Sequence, residues 1–294
     1  MDCVKEKEKI ISFLRAELEK EKKDGFVFGL SGGIDSTVVA YLLKEAVGKN
    51  KVLALIMPDL DSEPSNKKDA LLIAKTLGIK YRVIPITEAL RSIGVYKEVP
   101  LWIFLLRPLK IKVVTAIYEK YARILGKPLF FAIKDGVNPD LYWFNRGKAY
   151  YGIKHRIRMA VLYFFAEKEN YLVVGCTNLT ERLIGFYVRY GDDVADITPI
   201  SHLYKTEVIE LAKYIGVPKK IIEKAPSPDL IPGLVDERTI GISYREIDSI
   251  LKSFEEGRCL EEIEDKVDKK MVKLLYEQYV WIKEQNKKPW RLAR

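Results

Sequence analysis

The 294-residue chain is poor in the side chains that most often build covalent and metal centres, with three cysteines and two histidines. Cys3, Cys176 and Cys259 lie far apart and form no C-x-x-C pair. That spacing excludes a disulfide framework and a thiolate zinc site, and it fits a reducing compartment, so a cytoplasmic protein is expected. No metal-ligand spacing links His155 and His202. Long apolar runs are missing as well. The longest, residues 99–106, is closed by Arg107-Pro108 and falls far short of the ~20 residues that span a bilayer, which excludes a membrane protein built on a spanning helix. Residues 1–9 are charged and hold no apolar signal region. Internal repeats and low-complexity tracts are absent.

Apolar residues make up 48% and charged residues 31%, the balance of a globular protein with a sizeable core rather than a disordered chain. Fifty basic against 41 acidic residues leave a net charge of +9. Such an excess suits polyanionic ligands, nucleotide phosphates or nucleic acid, and it equally suits a solvated Lys/Glu-rich surface of a heat-tolerant protein. Charges of both signs are spread along the chain, so composition does not choose between them.

Periodicity predicts helix over residues 3–23, a short buried strand over 26–30, and a helix over 34–47 closed by Gly48. The alternation repeats with strand 52–57, helix 65–77 and strand 81–86. After an irregular stretch come helix 153–169, strand 171–174 and helix 178–190. This pattern predicts a doubly wound α/β fold, a parallel sheet with helices on both faces, whose ligands sit at the carboxyl ends of the strands. Beyond Pro226 only helical stretches remain, 243–254 and 266–283. We read residues 243–294 as a helical appendage on a single domain spanning 1–294. Residues 98–150 are dense in aromatics with basic residues between them. They read as a small helical subdomain with its own core or, functionally, as a lid or specificity element over a flat ligand.

The most informative string is Gly29-Leu30-Ser31-Gly32-Gly33-Ile34-Asp35-Ser36-Thr37. Consecutive glycines between a strand and a helix let backbone N–H groups surround an anion, and the helix dipole favours negative charge there. Ser31 and Ser36 add hydroxyl donors. Asp35 would repel a bare phosphate, but it makes sense as a ligand of a magnesium ion bridging phosphates. No lysine follows the glycines, so this is not a Walker loop.

The string resembles the S-G-G-x-D-S signature of the N-type ATP pyrophosphatases, and within them the chain is similar to the NAD synthase family. Further stretches carry the match in the family's order. Lys154-His155-Arg156-Ile157-Arg158-Met159 resembles K-A-R-x-R-M, and Gly175-Cys176-Thr177-Asn178-Leu179-Thr180-Glu181 resembles G-T-x-N-x-x-E. Arg189-Tyr190-Gly191-Asp192 with Asp196 resembles K-Y-G-D-G-G-x-D. Leu203-Tyr204-Lys205-Thr206 matches L-Y-K-T, Pro226-Ser227-Pro228-Asp229-Leu230 resembles P-[ST]-A-D-L, and Asp236-Glu237 and Gly241-Ile242-Ser243-Tyr244 match D-E and G-[IL]-S-Y.

The resemblance implies an adenine nucleotide alpha hydrolase-like fold and a ligase. That enzyme adenylylates the carboxylate of deamido-NAD with ATP, releases pyrophosphate, and lets ammonia displace AMP to give NAD. It implies that Gly29, Leu30, Ser31, Gly32, Gly33, Ile34, Asp35, Ser36, Cys176, Lys205 and Ser227 serve ATP. Asp35 and Glu181 would hold Mg2+, and Arg156, Arg189, Asp196 and Lys287 would meet the acyl substrate. Asp35, Lys205 and Arg156 are the catalytic candidates. A homodimer is implied too, and free ammonia is the expected nitrogen donor, since only one helix precedes the loop.

The departures from the family pattern cluster on the acyl side. Tyr151-Gly152 replaces G-N, His155 an alanine, Arg189 a lysine, and Asn286-Lys287-Lys288 the family's H-K-R; on the ATP side only Cys176 differs. Two further readings stay open at this point. One is a paralogue that adenylylates another carboxylate or carbonyl for attack by ammonia or an amine. The other is an RNA-modifying ATP pyrophosphatase.

Overall fold

In a computed structural model the described residues are 1–98, 107–135, 141–225, 236–258, 263 and 268–286. Helix α1 (Cys3–Lys20) is capped by the Asp2 carboxylate on the Lys5 N–H and buries Ile10, Ile11, Leu14 and Leu18. Strand β1 (Gly25–Gly29) leads through the serine-glycine loop into α2 (Ile34–Val47). Then follow β2 (Val52–Ile56), α3 (Pro64–Leu77), β3 (Lys80–Val83) and α4 (Thr87–Ser92). Proline opens α3 where its missing N–H costs nothing, and left-handed Gly78 ends it.

The sheet order is β3-β2-β1-β4, with β4 spanning Tyr171–Val174, and every pairing is parallel. In register, Phe26 faces both Val52 and Leu172. The two central strands are buried on both faces, which is why they read as unbroken apolar runs. Alternation along the strands splits the core. Phe26, Phe28, Val52 and Ala54 pack with α1, α2 and α3 on one face. Val27, Leu53, Leu55 and Val173 pack on the other face, against Met159, Leu162 and Phe165. Edge strand β3 is exposed throughout and carries Lys80 and Arg82, charges that discourage further pairing.

Helix α5 (Arg107–Leu125) and a 3-10 stretch, Leu129–Asp135, precede α6 (Tyr142–Glu169). α6 therefore starts at Tyr142 and not at 153: aromatic residues along its first turns hide the helical stripe, while Tyr150, Tyr151 and Tyr96 pack edge to face. Tyr121, Leu129 and Leu141 form a small cluster. Phe130 and Phe131, expected in a core of that segment's own, join the core of the carboxyl-terminal helices.

Helix α7 (Leu179–Ile184) stops well short of residue 190. Gly185 adopts φ +75°, and a Cβ there would lie 2.2 Å from Ile282, so packing of the tail dictates the break. Helices α8 (Lys205–Tyr214), α9 (Lys219–Ile222), α10 (Asp236–Ile240), α11 (Tyr244–Glu255) and α12 (Lys269–Gln285) complete the described chain. Ile247, Ile250, Leu251, Val272 and Leu275 bury the tail against Ile184 and Tyr204. No helix among the described residues is long and apolar enough to cross a membrane.

Candidate active site

The loop after β1 is shaped for an anion. Gly32 has φ +81°, and a Cβ there would sit 2.3 Å from the Asn66 carbonyl oxygen, so only glycine fits. Gly33 caps α2 without a side-chain hydrogen bond, leaving first-turn N–H groups for a ligand. The two hydroxyls close on the loop itself. Ser31 N–H donates to Ser36 Oγ (3.2 Å), the hydroxyls of Ser31 and Ser36 are 3.0 Å apart, and Gly33 N–H donates to Ser31 Oγ (3.2 Å).

Three carboxylates and one ammonium meet beside this loop. Lys205, at the first position of α8, is buried with 2% of its side chain exposed; its Nζ ion-pairs with Asp35 and lies 3.9 Å from Glu181 Oε1. Asn178 ties the pieces together. Its Nδ2 donates to Asp35 Oδ1 (3.1 Å), and it forms a reciprocal capping box with Glu181 at the start of α7. Burial, and then the charge of Asp35, raise the Glu181 carboxyl well above the usual carboxylate range. Burial also lifts Asp236 to about 6, against the pull of Lys205. Asp236 Oδ2 accepts from the Tyr244 hydroxyl (2.8 Å), while its Oδ1 is buried without a partner.

One ammonium cannot balance three acids, so the cluster is short of positive charge. No group of three or more His, Cys, Asp or Glu arranged to ligate a metal exists among the described residues. Two carboxylates beside a phosphate loop nevertheless suit Mg2+, which keeps waters and takes most of its remaining ligands from substrate phosphates. Cys176 lines the same space. Burial, with Asp35 and Glu181, pushes its thiol upward, the state of an inert thiol rather than a nucleophile.

Across the cleft, Arg156 Nε donates to the Arg189 carbonyl (3.2 Å), and Arg189 Nη1 donates to the Gln285 carbonyl (3.2 Å), so both are held by backbone. Tyr190, between Arg189 and the Asp192 turn, takes φ +61°. His155 Nδ1 lies 3.4 Å from Asp192 Oδ1, and burial lowers the imidazole pKa.

Asp196 was expected with these residues but stands apart from the cleft. Its Oδ2 accepts from Val173 N–H (2.7 Å) and its Oδ1 from the Tyr163 hydroxyl (3.2 Å) in a separate depression beside β4. A backbone N–H left open at the sheet edge explains that position. Ser227 and Lys287 lie outside the described residues.

The sequence reading missed a second charged knot. Lys154 is fully buried on α6, 2.8 Å from Asp59 Oδ2 and paired with Asp61, which also accepts from the Tyr150 hydroxyl (2.7 Å). Arg158 Nε donates to the Met57 carbonyl (3.1 Å) beside it. Asp59 and Asp61 follow β2 at its carboxyl end, the position from which such sheets build sites, and that rule alone marks them.

A single cleft of about 1190 Å³ joins these parts. Ser31, Asp35, Glu181 and Lys205 line it at the serine-glycine loop, and Arg156, Arg189, Ile117, Tyr118, Phe130 and Phe144 line it as well. A parallel α/β sheet with a serine-glycine phosphate loop, a carboxylate pair and a buried lysine at the strands' carboxyl ends defines a nucleotide-binding enzyme of the ATP pyrophosphatase class. The family model for NAD synthase matches residues 6–98 and 111–288, and the chain belongs to that family.

Among curated relatives, the NH(3)-dependent NAD(+) synthetase of Coprothermobacter proteolyticus is 47% identical over 99% of both chains. That of Methanocaldococcus jannaschii is 42% identical over 87% of this chain and 83% of its own. Two solved structures superpose over the whole of both chains: an NH3-dependent NAD synthetase from Campylobacter jejuni in complex with nitrate (TM-score 0.70, 29% identity) and an NMN synthetase from Francisella tularensis (TM-score 0.72, 27% identity).

Proposed function

We propose that this chain is an ammonia-dependent NAD synthase. It joins the nicotinate carboxylate of deamido-NAD to the α-phosphate of ATP, releases pyrophosphate, and then lets ammonia displace AMP to leave the amide. The observation that carries the reading is the meeting of Asp35, Glu181 and Lys205 at the mouth of the serine-glycine loop.

Attack of a carboxylate on phosphorus builds negative charge that must be met by fixed donors and cations more than by a proton-transfer group. The N–H groups at the start of α2, with Ser31 and Ser36, would cradle the leaving pyrophosphate. Asp35 and Glu181 would hold Mg2+, which when bound neutralises phosphate charge. Lys205, whose ammonium ion-pairs with Asp35 at the loop, would meet the phosphates with its charge. Arg156 and Arg189 would meet the acyl substrate, and the aromatic residues of the cleft wall suit a flat ring. Ammonia must arrive unprotonated to attack the adenylate.

We read residues 1–294 as one domain. A homodimer belongs to this reading. Phe164, 60% exposed on α6, is the kind of surface residue a partner would cover. Free cysteines at 3 and 176 accord with action in a reducing cytoplasm.

The test is a purified assay with Mg-ATP, ammonium and a panel of acids: deamido-NAD, the shorter deamido-NMN, and unrelated carboxylates. NAD, AMP and pyrophosphate formed in equal amounts are expected. A preference for deamido-NMN, the reading that the NMN synthetase neighbour favours, would reassign the substrate. Pyrophosphate release only with an unrelated acid would reject it.

A further inference from the structure

Two polar residues of the tail helix α11, one turn apart, reach the bases of the helices that carry the ATP-side acid and lysine. Asp248 is buried. Its Oδ1 accepts from the Thr180 hydroxyl, and its Oδ2 accepts from the Thr206 N–H (2.8 Å). The Thr180 Oγ1 accepts in turn from the Lys205 N–H (2.9 Å). Thr180 directly precedes Glu181 on α7, and Lys205 and Thr206 open α8. One buried carboxylate and one hydroxyl thus satisfy the first two N–H groups of α8 and pin both helix starts to each other. An α8 terminus closed in this way cannot bind phosphate through its backbone. It can offer only the Lys205 side chain.

Tyr244, four residues before Asp248 and on the same face, supports that side chain. Its ring centroid lies 5.3 Å from Lys205 Nζ, within cation–π range. The ring is itself held: its hydroxyl donates to Asp236 Oδ2 (2.8 Å), and the Tyr244 N–H donates to Glu237 Oε1 (2.9 Å). The Lys205 ammonium thus has two partners, the Asp35 carboxylate and the Tyr244 ring, and the ring contact does not depend on Asp35.

We propose that Asp248 and Tyr244 are positioning residues for ATP, holding Glu181 and Lys205 in mutual register from the tail helix; this rests on the ATP-site reading above. A purely structural role in anchoring the tail would act on folding alone. The two are separated by Mg-ATP binding measured by calorimetry on the full chain, beside the thermal midpoint and the KM for deamido-NAD.

Thr180→Val and Asp248→Asn should each weaken Mg-ATP binding by about tenfold or more, the usual effect of outer-shell partners, with the KM for deamido-NAD unchanged. Leu275→Ala, which loosens the tail core away from the site, should lower the midpoint and leave ATP affinity as it was. Tyr244→Leu should weaken ATP binding in the natural chain and add nothing in a Lys205→Ala background. Folded Thr180→Val and Asp248→Asn with unaltered ATP affinity would overturn the inference. So would a Tyr244→Leu effect of equal size with and without Lys205. Absence of Mg-ATP binding by the unsubstituted enzyme would instead reject the ATP-site reading itself.

Discussion

Two parts of the cleft are built by different means. At the serine-glycine loop, backbone geometry and a buried ion cluster fix the groups: Gly32 leaves no room for a side chain, and hydrogen bonds and ion pairs link Asn178, Asp35, Glu181 and Lys205. Elsewhere in the cleft, Arg156 and Arg189 rest on carbonyls, and the walls include aromatic side chains from α5, the 3-10 stretch and α6. A site for a common phosphate tail tolerates little variation, because its donors are main-chain groups. A site for one particular acid is made of side chains and can be retuned one residue at a time. Tyr151, Gly152, His155 and Arg189, at which the chain departs from the family pattern, line the cleft.

That contrast can be broken or sharpened in four ways. The largest effect is expected from Asp35→Asn, which removes both the metal-side carboxylate and the partner of Lys205. Turnover should fall by roughly a hundredfold or more, with the KM for deamido-NAD near its natural value. A comparable rise in that KM would show that the two parts are not separable.

Gly32→Ala comes next. A positive φ and a Cβ 2.3 Å from a carbonyl should cost about 1–3 kcal/mol of stability and raise the KM for ATP, as thermal melts and steady-state kinetics would show. An unaffected KM for ATP would mean that the loop does not cradle phosphate.

Asp236→Asn should act through pH. Burial holds this carboxyl at about 6, above its ordinary 3.8, so the native state binds the extra proton between those values. The stabilisation from this group is complete below pH 4 and is lost as pH rises through 6. The midpoint of the asparagine variant should therefore gain on the natural chain from pH 4 to 7. A constant difference across that range would contradict the buried, unpartnered state of its Oδ1.

The smallest effect is expected at the aromatic wall. Phe144→Ala should raise the KM for deamido-NAD by a few-fold, about 1 kcal/mol for a lost aromatic contact, and leave that for ATP unchanged. A change confined to ATP would place the wall with the nucleotide.

How much was legible in the sequence follows the same divide. Strand β1, the loop and α2 are contiguous, so composition and glycine placement marked the loop and the start of α2 without help from distant parts of the chain. Lys205 and Glu181 could be placed only through the resemblance, since alone each reads as an ordinary charge in a first helical turn. Asp236 and Tyr244 were marked only as motif matches without a role, and Asp248 not at all, because nothing in their local pattern shows that the fold brings them beside the start of α8. The early start of α6 was masked by aromatics, and the short α7 by a tertiary clash at Gly185 that no local rule contains. Asp196 shows what a motif leaves out, since nothing local to it tells that its carboxylate bonds the N–H of Val173.

The decisive question is where ATP is cut. With deamido-NAD, ammonium and Mg-ATP, separation of the nucleotide products should show AMP and pyrophosphate in step with NAD. ADP and orthophosphate in their place would contradict it, because the serine-glycine loop would then not be holding pyrophosphate as the leaving group.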